Sequence, residues 1–308
     1  AVTFRDDTGL VIAAVVAAAT VTGVTATTFN LTTSNGAVTD TAALAVTGTT
    51  TIAAGTGGDI TFDEGANNFG TVVITTGRAV TLVDTNALTL GATTASGLLS
   101  VTAGGVLTLS GAVSSGGTTV LTSTANDAGA ITFAQGTQTI TSTSGALTIT
   151  ADDMTLDGTI TATGQAVTLK SNTGGDTIDI GSTGTTTVDR LELSNAELQR
   201  IAAGSLTIGT GAAGAVAFVT ADVTPGSSGG GDLATVAVVT GSTITATAAG
   251  IIETNLALTA GGTINFADAN TNVATLAVSN AGEAVTFRDD TGLVIAAVVA
   301  AATVTGVT

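Results

Sequence analysis

Carboxylates are the groups in this chain best able to do chemistry, and several stand in adjacent pairs: Asp6-Asp7 with its copy Asp289-Asp290, Asp63-Glu64, and Asp152-Asp153. Two neighbouring carboxylates in a turn are hard oxygen donors of the kind Ca²⁺ prefers. The calcium β-roll pattern G-G-x-G-x-D-x-apolar is nevertheless not met by Gly57-Gly58-Asp59-Ile60 or by Gly174-Gly175-Asp176-Thr177. The acids therefore read as solvated turn residues. Carboxylates grouped with Arg or Lys across neighbouring turns of chain would suit polysaccharide cleavage. Lys170 and the scattered Arg5, Arg78, Arg190, Arg200 and Arg288 show no such grouping. Glu197 and Arg200, three apart in SNAELQRI, have the spacing of an ion pair on one helical turn. The 308 residues include no Cys and no His, which removes disulfides, thiolate nucleophiles, imidazole bases and the usual zinc and haem ligands. The residues predict no enzyme, no metal site and no cofactor.

Charge narrows the partners. Six Lys and Arg against 23 Asp and Glu give a net charge of −17, which repels phosphate backbones and argues against nucleic acid. Charged residues are 9% of the chain, against about 25% in an ordinary domain, and mean hydropathy is +0.57. The longest apolar run, residues 10–24, falls short of the roughly 20 residues a membrane span needs. No secretory leader is legible at residue 1. The eight Phe are expected in the core rather than on a glycan-stacking surface. Asn30 heads the sole N-x-[ST] sequence. Residues 223–232, which hold the single Pro and a Gly/Ser run, read as a loop bulging from the fold.

The elements that position these residues come from repetition. Residues 1–25 and 284–308 are identical, an offset of 283. The chain thus reads as one long tandem unit, 1–283, followed by the start of the next, 284–308. A weaker repeat aligns 57–90 with 261–295, with one extra residue in a turn. Beneath both runs a finer beat of apolar–x–apolar triplets, often with Thr in the middle: VTF at 2–4, ITF at 60–62, VTL at 80–82, LTL at 88–90, ITF at 131–133 and LTI at 147–149. Ile60, Val80, Leu99, Val120, Ile140 and Ile160 open triplets about 20 residues apart, as do Val216, Val236, Leu256 and Leu276.

Alternation in each triplet puts both apolar side chains on one face. A unit of about 20 residues cannot bury that face alone, but stacked units can. The fold class expected is all-β: a parallel β-solenoid, a β-helix with coils of about 20 residues, right-handed by the preference of parallel crossovers. About 14 coils per unit would give a shaft of roughly 70 Å. A string of β-sandwiches would show boundaries every hundred residues or so, and none is visible.

Residues 193–209, LSNAELQRIAAGSLTIG, resemble a motif of filamentous-haemagglutinin-like bacterial surface exoproteins. The phrases GGDITF and GALTITADDMTL are in the same manner. That resemblance implies a right-handed β-helix, an extracellular place at the cell surface, and roles in adhesion, fibres or biofilm. The Asn-Pro-Asn motifs of that family's secretion domain have no counterpart here. The function expected is a structural repeat in the rigid shaft of a surface filament, its partners being adjacent copies of the repeat, end to end. An adhesin that binds surfaces or glycans is the alternative. A third reading is an ice-binding solenoid, with rows such as Thr139-Ile140-Thr141 and Thr159-Ile160-Thr161.

Overall fold

The computed structural model of the chain describes residues 1–13, 23–125, 130–133, 136–183, 189–220, 222–226, 233–298 and 304–305. Thr, Val and Ile are stiff at χ1 and favour extended backbone, and the triplets form strands throughout. One turn of chain runs through Val38–Asp40 and Leu44–Ala53, then regains its starting face at Ile60–Phe62. Leu44–Ala53 shifts register between Val46 and Thr49, which divides it into two strand segments. Among the described residues every strand pair is parallel except Ala297–Val298 with Val304–Thr305. The architecture is a parallel β-solenoid.

Its spine is one unbroken ladder of thirteen residues in direct register: Leu10, Val38, Ile60, Val80, Leu99, Thr119, Leu147, Val167, Leu206, Val236, Leu256, Leu276 and Ile295. All but the first and last are buried. Each large aliphatic side chain so buried contributes about 1.5–3 kcal/mol, and the ladder repeats that gain at every turn. Twelve steps at about 4.8 Å make roughly 58 Å, shorter than the 14 coils expected.

The ladder corrects the sequence reading at three places. Thr119, not Val120, follows Leu99 inward, and Val120 pairs with Ser100 on the outer face. The next rung is Leu147, 28 residues on, while Ile140 belongs to another column between Val113 and Ile160. Val216 lies in a separate six-stranded sheet with Ile178 and Ile244, so its 20-residue distance from Val236 is a coincidence of spacing. Most coils are near 20 residues, but some are longer, the longest two in succession: 39 residues from Val167 to Leu206 and 30 from Leu206 to Val236. The 39-residue coil carries the paired strands Thr177–Ile180 and Arg190–Leu193 and the helix Asn195–Gln199, and the ladder still passes through it in register.

The weaker internal repeat is also structural: Ile60–Phe62, Asn68–Gly77 and Val80–Asp84 recur as Ile264–Phe266, Asn272–Asn280 and Val285–Phe287. Phe29, Phe62, Phe69, Phe133, Phe218 and Phe266 are buried; Phe287 is half-buried and stacks on Phe266 at 5.3 Å, and Phe4 is exposed. Polar corners are held by acceptors buried for the purpose. Asp40 takes the Asn67 amide at 2.6 Å and the Asp63 N–H at 3.1 Å, while Asn67 Oδ1 takes the Leu44 N–H at 2.8 Å. An outer column runs Thr148, Thr168, Thr207, Ala237, Ala257, Ala277. Where it turns to Ala, Val298 packs over it.

Candidate functional site

The polar cleft richest in titratable groups lies where the strand Asp153–Thr155 meets Arg190–Leu193 and the short helix Asn195–Gln199. It encloses about 210 Å³ and is lined by Asp153, Asp157, Glu192, Ser194, Glu197 and Arg200 among others. The helix forms because Ser194-Asn195-Ala196-Glu197 is a capping box. Ser194 Oγ accepts the Glu197 N–H at 3.3 Å, and Glu197 Oε2 accepts the Ser194 N–H at 2.8 Å.

Glu197 and Arg200 do not pair with each other, contrary to their spacing. Both reach across to the neighbouring coil instead. Glu197 Oε1 accepts the Leu156 N–H at 2.9 Å, and Arg200 donates to the Leu156 carbonyl at 3.2 Å and to Asp157 at 3.5 Å. The reason is geometric: the capping box fixes the Glu197 side chain toward the helix N-terminus, away from Arg200. The S-x-x-E signature was the signal that could have shown this.

Asp152 and Asp153, adjacent in sequence, part in space. Asp152 is buried rather than solvated, its carboxylate taking the N–H groups of Asn172 and Thr173 at 2.7 Å and the Thr173 hydroxyl at 2.8 Å. Asp153 faces the cleft. Burial holds its carboxyl above the ordinary range, and the charges of Glu192 and Glu197 push the same way against the Met154 N–H bond. Glu192 is buried; its Oε1 accepts the Ser182 hydroxyl at 3.0 Å, and its Oε2 has no hydrogen-bond partner.

The cleft thus offers one carboxyl of raised pKa beside two further carboxylates. Glu197 is committed to the helix cap and to Leu156. Among the described residues no group of three or more His, Cys, Asp or Glu is placed to hold a metal ion.

The other singled-out residues lie elsewhere. Asp6 is held below the ordinary carboxylate range by the Thr8 hydroxyl and N–H. Asp59 is held down by its bidentate pair with Arg78 at 2.6 and 2.5 Å. The Thr139/Thr159 and Thr141/Thr161 rows stack in register, but Thr161 is followed by Ala202. Val223 to Gly226 do not bulge. Val223 bridges Ile251, Thr224 N–H donates to Asn195 Oδ1 at 2.9 Å, and Pro225 is buried. Residues 227–232 of the expected loop lie outside the described residues. A shallow second cleft of about 400 Å³ opens beside Thr224, Pro225, Ile252 and Asn272.

Fold and sequence together define a tandem-repeat parallel β-solenoid. Residues 1–76 and 77–142 each match a family described as repeats of unknown function (DUF5649). The second match begins two residues before the coil at 79–90, which corresponds to residues 1–12 through the nested repeats. No curated protein and no solved structure matches the chain.

Proposed function

We propose that the chain is a structural repeat of an extracellular fibrous protein, forming the rigid shaft of a cell-surface filament or stalk. The observation that carries this reading is the thirteen-residue ladder, which among the described residues runs in register from Leu10 to Ile295. A shaft of stacked rungs resists bending because each turn is held by backbone bonds to its neighbours, and its surplus of negative charge keeps it dispersed. The resemblance of residues 193–209 to filamentous-haemagglutinin-like exoproteins supports the surface location.

Electron microscopy of the purified chain tests the shaft. A rod about 58 Å long supports it, and a globular particle refutes it. Antibody labelling of intact source cells tests the location, since signal that needs permeabilised cells would refute an external shaft. The adhesin reading draws on the cleft beside Thr224 and Ile252, and glycan-array binding lost on deleting residues 227–232 would favour it.

A further inference from the structure

The duplicated segment occurs twice, and its two copies make different bonds. The first copy bonds to the coil after it. Val2 N–H donates to Thr28 O at 2.8 Å, Leu10 N–H to Ala37 O at 2.9 Å, and Ile12 O accepts from Thr41 N–H at 2.7 Å. The second copy bonds to the coil before it. Ala284 O accepts from Ile264 N–H at 3.0 Å, Asp290 N–H donates to Thr271 O at 2.8 Å, and Asp289 Oδ1 takes the Val273 N–H at 2.8 Å.

In repeat numbering the first copy uses the backbone groups of residues 2, 10 and 12, and the second those of residues 1, 5, 7 and 13. The sets do not overlap. Each peptide points its C=O and N–H to opposite sides, so Ala284 O facing one neighbour leaves Val285 N–H facing the other.

An interior coil of the same type makes both sets at once. In the coil at 79–90, Val80 N–H donates to Leu98 O at 2.8 Å, Leu88 N–H to Val106 O at 2.9 Å, and Leu90 O accepts from Ser110 N–H at 2.8 Å. On its other side Ala79 O accepts from Ile60 N–H at 2.8 Å, Thr85 N–H donates to Asn67 O at 2.9 Å, and Asp84 Oδ2 takes the Phe69 N–H at 2.5 Å. Even the strand register recurs: Thr71↔Thr89 and Val72↔Leu90 reappear as Thr275↔Val294 and Leu276↔Ile295.

Burial separates the three. Leu82 and Leu90 are 0% exposed; of their equivalents, Phe4 is 48% exposed in the first copy and Ile295 51% in the second, while Phe287 is half-buried against Phe266 and Ile12 is buried. Among the described residues, six of the eight exposed large hydrophobics, Val2, Phe4, Val11, Val285, Val294 and Ile295, belong to the duplicated segment.

We infer that the duplicated segment is an interior coil, and that its apolar edge at Val285, Phe287 and Ile295 is the docking face for a second copy of the 283-residue unit. That copy stacks parallel and in register. Its partner strands on this face are those equivalent to Phe29–Thr33 and Val38–Asp40. Inward Phe287 then lies between Phe266 below and the next unit's Leu31 above, as Leu82 lies between Phe62 and Val101. The inference rests on the shaft reading and adds the junction that makes the shaft continuous.

The test uses a chain in which residues 1–283 precede the full 308 residues. Electron microscopy should show one straight rod longer by about 58 Å. Hydrogen exchange at the junction amides of Val285 and Leu293 should slow at least about 100-fold relative to the 308-residue chain. Phe287→Asp at the junction should restore fast exchange there while Val80 stays protected, and Phe4→Asp in the first coil should leave the junction slow. Two rods joined by a hinge, with unchanged exchange at Val285 and Leu293, would overturn the junction and leave the shaft intact. Equal effects of the two Phe variants on junction exchange would overturn it too. Globular particles would refute shaft and junction together.

Discussion

Thr119 stands directly on Leu147 in the inward ladder, its Oγ1 buried and without a hydrogen-bond partner. A hydroxyl taken from water with nothing to bond costs about 1–3 kcal/mol. Val has nearly the same shape and the same β-branched preference for strands. Thr119→Val is therefore expected to stabilise the protein by about 1 kcal/mol, read as a higher urea midpoint with an unchanged slope. A lower midpoint would mean that the hydroxyl has a partner in solution.

The same residue shows where the sequence stops being legible. In Thr119–Ser123 the pattern Thr-Val-Leu-Thr-Ser carries apolar residues on both faces, so alternation alone does not choose between Thr119 and Val120. Tertiary register chose, because Leu121 must meet Val101. Coil fold, nested repeats and the core role of six Phe could be read from triplets that alternate cleanly. The lengths of the long coils could not, since nothing in the triplets encodes how far the chain travels before its next rung. The cleft at Asp153 was half legible: both Asp152-Asp153 and Glu197-Arg200 stood out by type, but their partners come from coils 20 to 44 residues away.

Stacked coils leave little room at their turns. A Cβ on Gly145 would lie 2.2 Å from the Gly117 carbonyl carbon and the Thr118 nitrogen of the coil below, both backbone atoms that cannot step aside. At Gly211 a Cβ would meet nothing within 4 Å. Gly145→Ala should lower stability by more than about 2 kcal/mol, within the range of overpacking. Gly211→Ala should fall within about 0.5 kcal/mol of the parent. Thermal melts of the pair decide it; equal effects would mean that the coils can spread.

Glu197 joins the helix cap to the adjacent coil. Glu197→Ala removes the acceptor for the Ser194 N–H and leaves the Leu156 N–H unpaired beside a buried side chain. The loss of a cap is worth about 1 kcal/mol and an orphaned buried donor about 1–3, so a total of about 2–4 kcal/mol is expected. Glu197→Gln, which keeps one carbonyl oxygen, should recover part of it. If the two variants melt alike, the carboxylate is not what ties the coils.

Asp153 sets a pH dependence whose sign follows from its surroundings. Burial, then the nearby charges of Glu192 and Glu197, raise its carboxyl above the ordinary 3.8. A folded-state pKa above the unfolded one favours the protonated form on folding, so this contribution is full below 3.8 and fades as pH rises through the raised value. Asp153→Asn removes the titration but keeps an oxygen for the Met154 N–H. The carboxyl is partly exposed and screened, so the gain at neutral pH should stay below about 1 kcal/mol. Urea midpoints taken from pH 3.5 to 7 should show parent and variant close together in acid and separating upward, with the variant the more stable. A parent that gains on the variant as pH rises would reverse the sign and require a cation, rather than two carboxylates, facing Asp153.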